Sequence, residues 1–125
     1  MRILLPLATL VGLSLAGNAA LAADCKYPQG KIKVPDGRSA TLDAMKASQA
    51  EVKAFDKAIA DYSTCVETET NTSIDTAPEP LTEEKKAEMK GKMAQKINAA
   101  VKEAEELAAR FNEQRKVYLE KNKKT

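Results

Sequence analysis

Residues 41–66, TLDAMKASQAEVKAFDKAIADYSTCV, contain the pattern that decides the fold. Seven positions are spaced alternately by three and four residues, as on one face of a helix, and six of the seven are apolar or aromatic. They are Met45, Ser48, Val52, Phe55, Ile59, Tyr62 and Val66. Thr41 is a typical N-cap, and Asp43 places a negative charge in the first turn. The pattern predicts a first helix over residues 41–70.

A second stretch with the same spacing follows. Thr82 is its candidate cap, and the pattern continues to residue 122 with a glycine, Gly91, that is expected to mark a bend. The apolar and small positions are Met93, Ile97, Ala100, Ala104, Leu107, Phe111, Gln114 and Tyr118. Residues 71–81 contain turn formers and two prolines, which predicts an acidic loop. Two helices joined in this way predict an all-α, antiparallel two-helix hairpin over residues 41–70 and 82–122.

The first 22 residues have the pattern of a secretory signal peptide. Arg2 precedes an apolar run free of charge, and Ala20-Leu21-Ala22 provides the small residues that signal peptidase requires. Cleavage is expected after Ala22, with Ala23 as the alternative. An uncleaved membrane anchor is the competing interpretation, but the apolar run is shorter than the ~20 residues that a spanning helix needs. Residues 23–125 are then the single mature domain, exported to the periplasm or secreted.

The mature chain has 103 residues and a net charge of +1, which argues against general nucleic-acid binding. It has two cysteines, Cys25 and Cys65, and no histidine. Two cysteines alone cannot complete a tetrahedral zinc site, and they lack the spacing of a redox motif. Lipidation of Cys25 is disfavoured by the charged Asp24 in front of it. A structural disulfide between Cys25 and Cys65 is therefore predicted, with no metal or cofactor site.

The disulfide gives residues 23–40 a structural role. Sixteen steps of extended chain from Cys25 to Thr41 span at most ~53–58 Å, whereas the helix from Thr41 to Cys65 measures ~36 Å. The segment can therefore run back along the hairpin as an extended strap, with Ile32 and Val34 in the groove between the helices. Pro35-Asp36-Gly37 is expected to form the turn into the first helix.

No arrangement of residues indicates catalysis. Histidine is lacking, no serine has a recognisable base in a nucleophile motif, and the five glycines form no phosphate-binding loop. The sequence therefore predicts a protein that is not an enzyme and has no catalytic residues.

Charge is the feature that rises above background. Seven acidic and no basic residues occur between Asp61 and Glu84, whereas five basic residues and one acidic residue occur from Arg115 to Thr125. Because the second helix outlasts the first, its basic end is predicted to bind an acidic protein partner, a second copy, or an anionic membrane surface. The candidate residues are Phe111, Arg115, Val117, Tyr118, Leu119 and Lys121. Alternatives are helix-dipole complementarity, coverage of the apolar residues by the strap, and fraying of the tail.

Two resemblances bear on this interpretation. The first is carried by Cys25, Pro35-Asp36-Gly37, Met45, Val52-Lys53, Phe55, Tyr62 and Cys65, and by Arg110-Phe111-Asn112-Glu113-Gln114. These residues resemble a group of small exported bacterial proteins, which implies export and a bacterial periplasm but no activity. The second is Leu81-Thr82-Glu83-Glu84-Lys85, which is similar to the Leu-Thr-x-x-Gln motif of Spy-type periplasmic chaperones. Lys85 replaces the glutamine, and the motif occurs once.

These observations together predict a periplasmic structural or protein-binding module that is not an enzyme. A chaperone-like binder of unfolded polypeptides is the alternative.

Overall fold

The computed structural model describes residues 24–28 and 30–123, which contain two helices. Helix α1 spans Leu42–Asp75 and helix α2 spans Glu83–Asn122. They pack against each other as an antiparallel hairpin, and no strand occurs among the described residues, so the predicted fold class is confirmed. The predicted signal peptide, residues 1–22, lies outside the described residues.

Both predicted caps are present. The Thr41 hydroxyl accepts a hydrogen bond from the Ala44 N–H at 3.1 Å, and the Thr82 hydroxyl accepts one from the Lys85 N–H at 3.2 Å. Each bond satisfies one of the amide groups that a helix leaves unpaired at its start. The beginnings of both helices could therefore be predicted from the sequence to within a residue.

The end of α1 was predicted wrongly. The helix continues to Asp75, so residues 71–75 are helical and the connection is reduced to residues 76–82. The Ser73 and Thr76 hydroxyls donate to carbonyls four residues earlier, at 2.8 and 2.7 Å, so the turn-forming side chains bond within the helix. Half-buried Ile74 continues the apolar face. Pro78 prevents the helix from continuing further, because it has no N–H to donate and disfavours the helical conformation of Ala77 before it.

The core lies along the predicted faces of both helices. Its buried members are Met45, Val52, Phe55, Ile59, Ala100, Ala104, Leu107 and Phe111. The two alanines of α2 contribute little bulk, which lets the larger side chains of α1 fill the interface. Ser48 is also buried, and its hydroxyl has no hydrogen-bond partner among the described residues. Helix α2 is continuous through Gly91, where the sequence had suggested a bend.

The strap and its disulfide are confirmed. Cys25 and Cys65 are bonded, with their Cα atoms 5.7 Å apart. From there the strap runs toward the start of α1, and the rings of Tyr27 and Tyr62 meet edge to face at 5.1 Å between centroids. Half-buried Ile32 and Val34 pack against the core cluster, as predicted. The strap thus supplies a third layer to a pair of helices that would bury little surface alone.

The strap ends in a turn that lies against α2. The Asp36 carbonyl accepts the N–H groups of Ser39 and Ala40 at 3.1 and 2.9 Å. The Gly37 N–H donates to Gln114 Oε1 at 2.9 Å. A Cβ atom on residue 37 would lie 2.1 Å from the Gln114 backbone oxygen, a distance at which no side chain fits. Glycine is required here because the two backbones approach so closely.

Candidate functional site

The candidate partner-binding residues lie at the end of the hairpin where α1 begins and α2 ends, which we call the basic end. Its frame consists of the first turn of α1, the last three turns of α2, and the turn at residues 36–39. The Gly37–Gln114 hydrogen bond joins the turn to α2, and the Lys121 ammonium group donates a second bond to the Arg38 carbonyl. The turn and the C-terminal part of α2 therefore form one connected surface.

Only part of the predicted set is exposed at this end. Phe111 is 5% exposed and belongs to the core, so the expectation that it lacks cover within the chain is wrong. Val117 and Tyr118 are half-buried, and Tyr118 packs against the core cluster. The cause is that the strap and α1 reach further along α2 than the helix lengths suggested. Binding by these residues stays a prediction.

Leu119 remains available, together with a residue that sequence reasoning missed. Leu119 is 43% exposed, and Leu42, the first residue of α1, is 51% exposed. The third large hydrophobic residue exposed in the described chain is Val101, in the middle of α2. Leu42 lies outside the repeating pattern of α1, directly after the cap, and that position could have identified it as uncovered. Two of the three exposed apolar side chains therefore lie at the basic end.

Basic side chains accompany these leucines. Arg115 and Lys121, both predicted, are exposed, as are Arg38, Lys46, Lys116 and Lys123. Arg38 is bonded to Asp36 through two nitrogens, Nε at 3.1 Å and Nη2 at 2.9 Å. Those bonds hold the pKa of the Asp36 carboxyl below its usual value. Since Asp36 stays ionised, it neutralises Arg38. The five remaining bases outnumber the three other exposed acids at this end, Asp43, Glu113 and Glu120, so the end keeps a positive charge.

The opposite end of the hairpin is acidic. Glu67, Glu69, Asp75, Glu79, Glu83 and Glu84 lie there, at the last turns of α1, the connection and the first turn of α2. Glu88 accepts hydrogen bonds from Lys92 at 2.7 Å and Lys85 at 2.9 Å, which lower its pKa to about 2. The 40 residues of α2 separate the two ends by ~60 Å. The molecule is thus an electrically polar rod.

The strap has a second attachment to α2 that the sequence did not indicate. The Tyr27 hydroxyl donates a hydrogen bond to a carboxylate oxygen of Glu103. This bond raises the pKa of Tyr27 to about 12, because losing the proton would remove the bond and place two negative charges together. Glu103 is exposed and unremarkable in the sequence. Glu103 contributes to the fold only because the tertiary structure places its carboxylate next to Tyr27 of the strap.

Within residues 24–28 and 30–123, no group of three or more His, Cys, Asp or Glu side chains is placed to hold a metal ion. No helix in that part of the chain is both long and apolar enough to cross a membrane. Cys25 is used in the disulfide, so its sulfur is not available for acylation. The surface features that distinguish the molecule are its two charged ends and the groove between its helices.

A scan against protein-family models found no match, and searches of curated proteins and of solved structures found none either.

Proposed function

We propose that the protein is a periplasmic binding module, not an enzyme, that captures an acidic protein partner through its basic end. The observation that supports this proposal most directly is the position of Leu42 and Leu119, 51% and 43% exposed, among basic side chains at one end of a polar rod. Apolar contact with a rim of complementary charge is the usual composition of a protein-binding surface. A second copy, which would present its acidic end, and an anionic membrane surface are the other candidates for this site.

The disulfide supports this proposal in two ways. The Cys25–Cys65 disulfide is compatible with an oxidising compartment such as the periplasm. It also fixes one end of the strap. The other end leads into the turn at Gly37 and Arg38, whose bonds to Gln114 and Lys121 order the surface of the basic end. A rigid end loses little conformational entropy on binding. The disulfide is thus expected to matter for affinity as well as for stability.

The test compares two substitutions of exposed apolar residues on the same helix. Leu119→Ser removes an apolar contact at the basic end, whereas Val101→Ser makes a similar change in the middle of α2, where Val101 is 38% exposed. Arg115→Glu reverses a charge at the basic end. Truncation before residue 111 is unsuitable because it would remove buried Phe111. Each variant is immobilised, and acidic proteins retained from periplasmic extract are compared with those retained by the unaltered protein.

Retention should fall for Leu119→Ser and Arg115→Glu and stay unchanged for Val101→Ser. It should also weaken between about 50 and about 500 mM salt, because exposed charges are screened within ~10 Å at 0.1 M. Sedimentation over the same salt series identifies self-association, and flotation with anionic vesicles identifies membrane binding. Equal retention by all variants, with neither self-association nor vesicle binding, would contradict the proposal.

The chaperone-like alternative is favoured by a different observation, an open groove beside Met89 and Met93 of α2. Its sequence support is weak, because Thr82 is fully explained as the cap of α2. Equimolar protein should suppress the aggregation of an unfolding client if this alternative holds. Unchanged aggregation would reject it and leave the basic-end proposal intact.

A further inference from the structure

The strap covers only part of the hairpin. It meets α1 at Cys65, and α1 then continues for ten residues to Asp75. That length is ~15 Å of helix. The described strap runs from Cys25 toward the start of α1, so it does not lie over this part. We call the part of the groove between α1 and α2 that no described residue of the strap covers the distal groove.

The distal groove lies on the face that the strap occupies. Positions seven residues apart on packed helices lie on the same side. On α1, Phe55 and Tyr62 lie beside Ile32 and Tyr27 of the strap, and Glu69 is the next position in that series. The corresponding series on α2 is Met89, Lys96, Glu103, Arg110 and Val117. Its first two members line the distal groove, and its last three lie beside the strap. The distal groove and the part of the groove that holds the strap are therefore aligned along one face of the hairpin, which we call the channel.

The lining of the distal groove combines adaptable apolar side chains with polar groups on both walls. Met89 and Met93 of α2 face Thr70 and Ser73 of α1 across a cleft of about 200 Å³. Both methionines are half-buried. Methionine is flexible and polarisable, and surfaces that accept varied apolar side chains use it often. This lining suits apolar side chains of no single shape.

The covered part of the channel shows what kind of ligand it accepts. The strap is an extended chain that directs apolar side chains inward, and the hydroxyl of its Tyr27 donates a hydrogen bond to Glu103 of α2. The turn that follows the strap is bonded to α2 through its backbone. Gln114 accepts the Gly37 N–H, and Lys121 donates to the Arg38 carbonyl. In the distal groove, Glu69 of α1 and Lys96 of α2 can serve as the acceptor and the donor. Neither has an ion-pair partner among the described residues.

We infer that the distal groove binds an extended segment of another polypeptide, with apolar side chains at alternate positions and without charge, in the manner of the strap. This inference rests on the broader proposal that the protein binds polypeptides, but it concerns a different surface from the basic end. The occupant follows from the alignment of the distal groove with the part of the groove that holds the strap, and from Met89 and Met93 in its lining. Glu69 and Lys96 provide an acceptor and a donor on its walls.

The probe is a peptide that copies part of the strap. It has the sequence of residues 26–35 with Lys26, Lys31 and Lys33 replaced by serine, and it has blocked termini and an uncharged fluorescent label. The peptide keeps the apolar side chains and prolines that favour an extended chain, and its own residues carry no charge that could attract it to either end of the rod. Fluorescence anisotropy is measured with the oxidised protein, so that the disulfide holds the strap in its own part of the channel.

Matched substitutions locate the binding. Ser73→Trp fills the distal groove, whereas Thr72→Trp adds the same side chain one residue away, outside the lining. Both positions are exposed, so both variants should fold. Ser73→Trp should weaken binding at least about tenfold, the effect of excluding one apolar side chain. Lys96→Glu should weaken it about fivefold and Lys90→Glu, away from the groove, less than about twofold.

Saturable binding that Ser73→Trp weakens and Thr72→Trp leaves unchanged would support the inference. No saturable binding to the unaltered protein, or equal effects of the two tryptophans, would overturn it. A dimer that Ser73→Trp dissociates would assign the groove to a second copy and overturn it as well. Leu119→Ser should not alter peptide binding. Capture of acidic proteins through the basic end would therefore survive the failure of this inference, and the reverse also holds.

Discussion

The contact between Gly37 and α2 gives the sharpest prediction about stability. In Gly37→Ala the new methyl group would lie 2.1 Å from the Gln114 carbonyl oxygen and 2.8 Å from the Tyr118 nitrogen. Both atoms belong to the backbone of α2, which cannot yield without breaking its own hydrogen bonds. The turn must therefore move away by at least about 1.3 Å, because the shortest distance, 2.1 Å, has to reach an ordinary contact. That movement also breaks the 2.9 Å bond from the Gly37 N–H to Gln114.

The expected loss can be worked out from these contacts. Overpacking costs about 1–3 kcal/mol, and the broken hydrogen bond costs about 0.5–1.5 kcal/mol. Alanine also reduces the entropy of the unfolded chain, which returns about 0.4–1 kcal/mol. The free energy of unfolding should fall by about 2 kcal/mol, within a range of about 0.5–4 kcal/mol. In a domain of this size the melting temperature should drop by roughly 5–20 °C.

The control is the same chemical change in α2. A Cβ at Gly91 would meet no atom within 4 Å, and residue 91 lies inside a continuous helix. Gly91→Ala should therefore raise the free energy of unfolding by about 1 kcal/mol. Denaturant unfolding of the oxidised proteins, followed by far-ultraviolet circular dichroism, measures both changes. If Gly37→Ala proved as stable as the unaltered protein, the turn would not lie against α2 and the account of the basic end would be wrong.

Three further predictions concern the strap and the core. Cys65→Ser removes the disulfide, which closes a loop over a sequence separation of 40, and should lower the free energy of unfolding by about 4 kcal/mol in the chain-entropy model. Two reactive thiols in the unaltered, oxidised protein would contradict the disulfide itself. The Tyr27 pKa of about 12 lies above the ordinary 10, so its bond to Glu103 stabilises the fold below pH 10 and the contribution disappears as pH rises through 12. Alkaline unfolding of Tyr27→Phe should lack that loss, and an unchanged profile would argue against the bond. Ser48→Ala removes a buried hydroxyl without a partner and should raise the free energy of unfolding by about 1 kcal/mol in a denaturant titration; a decrease would show that the hydroxyl is satisfied.

Local features of the sequence determined the helices. The Thr41 and Thr82 hydroxyls cap helices because their bonds reach only three residues ahead, so a short segment is enough to predict them. The spacing of apolar residues indicated the buried faces for the same reason, since residues three and four apart share one side of any helix. The disulfide followed from the number of cysteines and the reach of an extended chain.

Only the tertiary structure decided which apolar residues near the end of α2 are covered. The sequence analysis placed Phe111 and Leu119 in one candidate binding surface, yet one is 5% exposed and the other 43%. The difference depends on where the strap and α1 cross α2, which involves contacts between residues more than 70 positions apart, such as Gly37 with Gln114 and Tyr27 with Glu103. Patterns within one segment cannot reveal them, because the register of two segments is set by how their surfaces fit together.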